Sequence, residues 1–186
     1  MNDRTIYLSD NVTDESTGSI NMALLRLISA DDKEDKEKKD YKRKPIKFFI
    51  NSNGGNVSDM FSIIDIIENS KTPIYTYCTG KAHSCGGLLL MSGIKRFISP
   101  HALVLIHSAS SGTYGKIQAM VETIEQYQKE QKMLENYIVS KTKITQERLD
   151  KVRENKIDWF LTAQDCLDLG VADDWFSNES KYFEDN

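Results

Sequence analysis

Long apolar runs are missing from this chain, and none approaches the roughly 20 residues that cross a bilayer. A membrane span is therefore not expected, nor is a membrane partner. The first residues, Met1-Asn2-Asp3-Arg4, lead into a short strand pattern without the apolar stretch of a signal peptide. This points to a cytoplasmic protein. Cysteine is scarce and odd in number: Cys78, Cys85 and Cys166, with no C-x-x-C spacing. That pattern excludes a disulfide framework and a zinc site of the usual kind, and suits reduced thiols. Charge of one sign is also lacking. The net charge is −4, and no basic stripe with interleaved aromatics appears, so nucleic acid is not an expected partner. Repeats and low-complexity segments are absent as well.

What is present suits a single domain over 1–186, long enough to bury a sizeable core. Thr5-Ile6-Tyr7-Leu8 has strand character, and Ile20, Ala23, Leu24, Leu27 and Ile28 recur at helical spacing. Residues 31–44 alternate in charge with almost no apolar content, which predicts a solvated helix end and a surface loop closed by Pro45. Residues 47–50 and 74–78 are apolar strands. Between them Met60, Ile63, Ile64 and Ile67 mark a helix. Strand, helix-length crossover and strand predict parallel pairing in an α/β fold. Further on come a Leu-rich helix ended by Gly93, strands at 96–98 and 103–106, and a polar loop at 108–115. A long amphipathic helix follows over about 117–140, with Ile117, Val121, Ile124, Tyr127, Leu134 and Ile138 on one stripe. Thr162-x-x-Asp165 has the form of a capping box opening a last short helix.

Chemistry concentrates at Gly80-Lys81-Ala82-His83-Ser84-Cys85-Gly86-Gly87. A strand, a small-residue turn, a serine and a helix place one hydroxyl at a helix N-terminus, where free N–H groups favour an oxyanion. Acyl transfer at neutral pH needs a nucleophile, a base, a group that orients the base, and N–H donors for the tetrahedral oxyanion. Ser84, His107 and Asp158 can fill the first three roles. The amides of Cys85 and of the Gly54-Gly55 turn can supply the donors. Each residue also has a plainer use. Serine at a helix start is commonly an N-cap, Asn53-Gly54-Gly55 an ordinary turn, and Asp158 a turn residue. His83 and His101 compete with His107 as the base, and the residues alone do not rank the three. Cys85 is either a reactive thiol or a small turn residue. Ala82 stands where a full Gly-x-Ser-x-Gly elbow has its first glycine.

Four stretches in order resemble the proteolytic subunit of the Clp protease, the ClpP family. Ile50-Asn51-Ser52-Asn53-Gly54-Gly55 resembles its INSPGG turn, with Asn53 at the usual proline. Ala82-His83-Ser84-Cys85-Gly86-Gly87 resembles its ASMGA nucleophile turn, with Cys85 at the usual methionine. Lys95-Arg96-Phe97 with Leu105-Ile106-His107 resembles its KRF…MIH stretch, and Asp158-Trp159-Phe160-Leu161-Thr162-Ala163 its D-x-F-x-[ST]-A stretch.

The resemblance implies a ClpP/crotonase-like fold of spiral βαβ units with the long helix as a protruding handle. It selects His107 among the histidines and implies a Ser84-His107-Asp158 triad with Gly55 and Cys85 as oxyanion hole. The implied activity is serine endopeptidase action on peptides or unfolded polypeptides, with no cofactor or metal. The implied partners are copies of the chain in heptameric rings, stacked as a tetradecamer, and an AAA+ unfoldase. The chain departs from the family pattern where the first strand starts at Thr5, where Asn69 replaces a common aromatic, and where Lys156-Ile157 precedes Asp158. These departures suggest a divergent, phage-type member. A non-catalytic ring subunit and an acyl-CoA-acting crotonase-fold enzyme are the other readings.

Overall fold

The computed structural model describes residues 4–108 and 116–183. A mainly parallel sheet carries the chain, with helices packed against it. β1 (Thr5–Leu8), β2 (Ile46–Ser52), β3 (Ile74–His83), β4 (Lys95–Ile98) and β7 (Asp174–Trp175) lie in that order, all parallel. β3 is long enough to change neighbours. Its first half pairs with β4 (Tyr75↔Lys95 to Cys78↔Ile98). Its second half pairs with β5 (Leu103–Ile106), from Lys81↔Leu103 to His83↔Leu105. β6 (Trp159–Leu161) then adds to β5 antiparallel. The expected parallel βαβ arrangement and the α/β class are both present.

Helix α1 (Asp14–Glu37) is capped by Thr13, whose side chain accepts from the Ser16 amide. α2 (Val57–Asn69) is capped in the same way by Asn56. Ile20 and Leu24 of α1 and Met60, Ile63, Ile64 and Ile67 of α2 bury themselves against Phe48, Ile50 and Ile74 of the sheet. α3 (Cys85–Met91) is buried at every position. α4 (Ile117–Lys141) covers the predicted long helix, but only its C-terminal half enters the core, through Ile138. Ile117, Val121 and Ile124 stay exposed. α5 (Gln146–Glu154), absent from the sequence-based expectation, links α4 to β6. α6 (Ala163–Asp168) opens with the predicted capping box, in which Thr162 and Asp165 exchange hydrogen bonds, and Gly170 follows it at φ +70°. On the other face of the sheet Tyr75, Tyr77 and Phe97 form a separate aromatic cluster. Phe176 and Tyr182 of a 3-10 helix, Phe176–Tyr182, cover it. The predicted loop 108–115 lies, apart from Ser108, outside the described residues.

The charged segment 31–44 is the expected helix end and surface loop, largely exposed, with one exception: Asp31 is 1% exposed. Arg4 grips it with two nitrogens at 3.0 and 2.6 Å, Tyr41 donates at 2.7 Å, and Thr72 donates at 2.7 Å. Burial pushes this carboxyl upward, but the hydrogen bonds from Arg4, Thr72 and Tyr41 outweigh it and leave the group below its ordinary value. The carboxylate thus ties the start of β1 and the 41–72 region to α1. A folded-state value below the unfolded one means that this contribution is present above about pH 4 and is lost as pH falls through the lowered value. Replacing Asp31 by alanine leaves the partly buried Arg4 without its partner. We expect a loss of about 3 kcal/mol in urea unfolding at pH 7, and a difference from the parent that shrinks as pH falls below about 4. Equal stability at pH 7 would refute the role.

Candidate active site

The end of β3 delivers Ser84 into a sharp turn. Its φ is 52° and ψ −122°, and its amide donates to the Leu105 carbonyl of β5 at 2.8 Å. Positive φ at a non-glycine residue is strained and persists only where the surroundings enforce it. Among the described residues Ser84 and Lys156 alone show it. Ser84 precedes α3, yet its side chain makes no capping bond, whereas Thr13, Asn56, Thr145 and Thr162 all cap. The N-cap use of this serine is therefore not what the structure shows.

Gly54 explains why the turn is so tight. A Cβ there would lie 2.6 Å from the His83 carbonyl oxygen, 2.8 Å from Ser84 Cβ and 3.0 Å from the Cys85 nitrogen. Gly55, at φ +153°, forms a parallel bridge with Val12 and would place a Cβ 2.1 Å from the Val12 oxygen. Only glycine fits such backbone-to-backbone contact. The Cys85 amide is at the first position of α3, where helices leave N–H groups unused. The Gly55 amide has no intramolecular acceptor among the described residues.

Sheet register brings the other two candidates together. β5 and β6 pair Val104↔Leu161, Leu105↔Phe160 and Ile106↔Trp159. Extending that antiparallel register by one residue sets His107 opposite Asp158. Their closest approach is 3.8 Å, from His107 Nδ1 to an Asp158 carboxylate oxygen, with Asp158 67% exposed at the side chain. This is close but longer than a hydrogen bond. The approach to Asp158 is a left-handed turn: α5 ends with the Lys156 amide bonded to the Arg153 carbonyl and the Ile157 amide to that of Val152. The remaining histidines sit elsewhere. His101 is exposed in a turn, and His83 lies on β3 with its Nε2 buried and, among the described residues, unpartnered, edge-on to Phe160. Burial first, then Lys81 and His107, push the His83 imidazole below its usual value.

Ser84, Cys85, Gly55 and His107 all line one cleft of about 270 Å³, and Asp158 stands outside its lining. No hydrogen bond joins Ser84 to His107 among the described residues. Cys85 is buried, and burial raises its thiol although the bond to the Gly55 carbonyl works against this. A thiol held protonated is a poor nucleophile, which favours the small turn residue over the reactive thiol.

A profile of the Clp protease family matches residues 1–179. The chain belongs to the Clp protease family. It is also 33% identical over 175 residues to the ATP-dependent Clp protease proteolytic subunit 1 of Shouchella clausii (strain KSM-K16), covering 93% of this chain and 84% of that protein. The coarse function follows: a ClpP-like protease. Among the described residues of this Clp-family chain, no helix is long and apolar enough to cross a membrane.

Sequence reasoning missed two residues of the cleft region. Glu135 of α4 is buried and ion-paired to Arg153 of α5. The available signal was weak, because α5 is polar throughout except for Leu149 and Val152.

Proposed function

We propose that the chain is a serine endopeptidase in which Ser84 attacks the scissile carbonyl and His107 takes its proton, with Asp158 orienting the imidazole. The Cys85 and Gly55 amides hold the tetrahedral oxyanion. His107 then gives its proton to the leaving amine, and water hydrolyses the acyl-enzyme by the same route in reverse. The observation that carries this reading is the strained, uncapped Ser84 at a helix start, in one cleft with His107 and two unused amides. Catalytic hydrogen bonds are often long before substrate binds. The 3.8 Å gap between His107 and Asp158 therefore fits a site that tightens on assembly or on substrate.

The exposed stripe of α4, with Ile117 82% exposed, suits packing against other copies. We propose heptameric rings, stacked in pairs, that enclose the sites in the cytoplasm and receive polypeptide from an AAA+ unfoldase.

Intact mass after treatment with a serine-directed fluorophosphonate tests the core of the proposal. One adduct is expected on the parent protein and none on Ser84→Ala. An unchanged adduct on the variant would place the reactive group elsewhere. A parent that assembles yet takes no label would overturn the serine mechanism.

A further inference from the structure

The cleft beside Ser84 continues into a slot between α3, α4 and α5, walled by Leu88, Leu134, Ile138, Leu149 and Val152. Such a slot next to a nucleophile receives the side chain whose carbonyl is attacked. Its walls are hydrocarbon, but its lining also includes Glu135. Among the described residues that line it, Glu135 is the only carboxylate. Glu135 also borders an outer trough of about 840 Å³, on whose side Arg153 and Lys132 lie. Glu135 thus stands, with Gln131 and Ser108, where slot and trough meet.

Glu135 is 6% exposed and held in place from two elements. One oxygen, Oε1, accepts from Gln131 Nε2 at 2.8 Å and from Arg153 Nη1. The other, Oε2, accepts among the described residues from Gln146 Nε2 alone, at 2.7 Å. A carboxylate oxygen has room for two donors, so Oε2 keeps one acceptor position. Burial pushes this carboxyl upward, but Gln131, Arg153 and Gln146 bring it below its ordinary value, so it is ionised at neutral pH. Arg153 does not fully neutralise it, because the same guanidinium also donates to Asp150 at 2.6 Å. One cation between two carboxylates leaves an excess negative charge next to an apolar slot.

We propose that Glu135 sets the cleavage preference: the slot takes a side chain with an aliphatic stem and an N–H donor at its tip, and the free acceptor of Glu135 binds that tip. Lysine and glutamine both have this chemistry. A purely apolar side chain of the same length fills the walls but leaves the carboxylate without its last hydrogen bond, and a site built around a buried polar group discriminates against such a ligand. This inference rests on Ser84 being the nucleophile.

The test uses the assembled full-length protein and three fluorogenic peptides that differ only at the residue before the scissile bond: lysine, glutamine or norleucine. For the parent, kcat/KM with lysine or glutamine is expected to exceed that with norleucine by about tenfold. In Glu135→Gln, which keeps the shape, the lysine advantage is expected to disappear while glutamine is still cleaved. In Glu135→Leu/Arg153→Leu, norleucine is expected to become the best of the three. Thermal melts establish that each variant is folded, and the isosteric Glu135→Gln decides the matter if the double variant is not. A parent that prefers norleucine overturns the inference while leaving the serine mechanism standing, as does a ratio that Glu135→Gln leaves unchanged. Failure to cleave any peptide, with no fluorophosphonate adduct on Ser84, overturns both.

Discussion

Asp158→Asn is expected to assemble like the parent and to cleave a fluorogenic peptide about 10⁴-fold more slowly in kcat. The change is small in every respect but charge. Asp158 is 67% exposed at its side chain and makes no bond that holds the fold among the described residues. Its backbone position is fixed from both sides, by the left-handed turn at Lys156 and by the pairing of β6 with β5. An amide in the same place cannot stabilise the imidazolium that forms when His107 takes the Ser84 proton. It can also donate to Nδ1 and favour the wrong tautomer. The loss should therefore fall on kcat rather than on KM. Turnover within tenfold of the parent would show that another group orients His107.

Gly55→Ala should damage stability and catalysis together. The added methyl would meet the Val12 oxygen at 2.1 Å and the Val12 carbonyl carbon and nitrogen at 2.9 Å. These are backbone atoms and cannot rotate aside. They belong to the bridge that joins the Gly54-Gly55 turn to the segment before α1, where the Val12 amide donates to the Gly54 carbonyl at 2.8 Å and the Asn56 amide to the Val12 carbonyl at 2.9 Å. The left-handed φ of +153° adds strain for any L side chain. A loss of about 3 kcal/mol or more is expected in urea unfolding, within the range of severe backbone effects. The Gly55 amide would also leave its aim at the oxyanion, so kcat should fall about a hundredfold or more in whatever fraction stays folded. A variant with the parent's midpoint and turnover would remove Gly55 from the oxyanion hole.

The core strands were legible because each buries alternate or consecutive apolar residues in short runs. β1 and β5 appear over the expected residues. β3 runs five residues further than its apolar stretch, through Thr79 to His83, because β5 and β2 supply partners where hydrophobicity no longer does. α5 and β6 were not legible. QERLDKVRE contains only two apolar positions, and a three-residue strand has no period to detect. The burial of Asp31 could not be foreseen either, since its Arg4 partner lies 27 residues away and local composition argues for solvent. At the site, Ser84 stood out through its small neighbours. The choice of His107 over His83 and His101 came from family resemblance, and the β5–β6 register now offers a separate geometric reason for it.

The order of the strands along the chain has a consequence for synthesis. Ser84 takes its strained shape only once Leu105 is available to accept its amide, so the elbow cannot set until β5 has left the ribosome and docked. The carboxylate opposite His107 arrives later still, after α4 and α5, at the last edge added to the sheet. A nascent or truncated chain can therefore carry Ser84 and His107 before Asp158 is in place. On the proposed mechanism, a chain built in this order stays inert while it is being made.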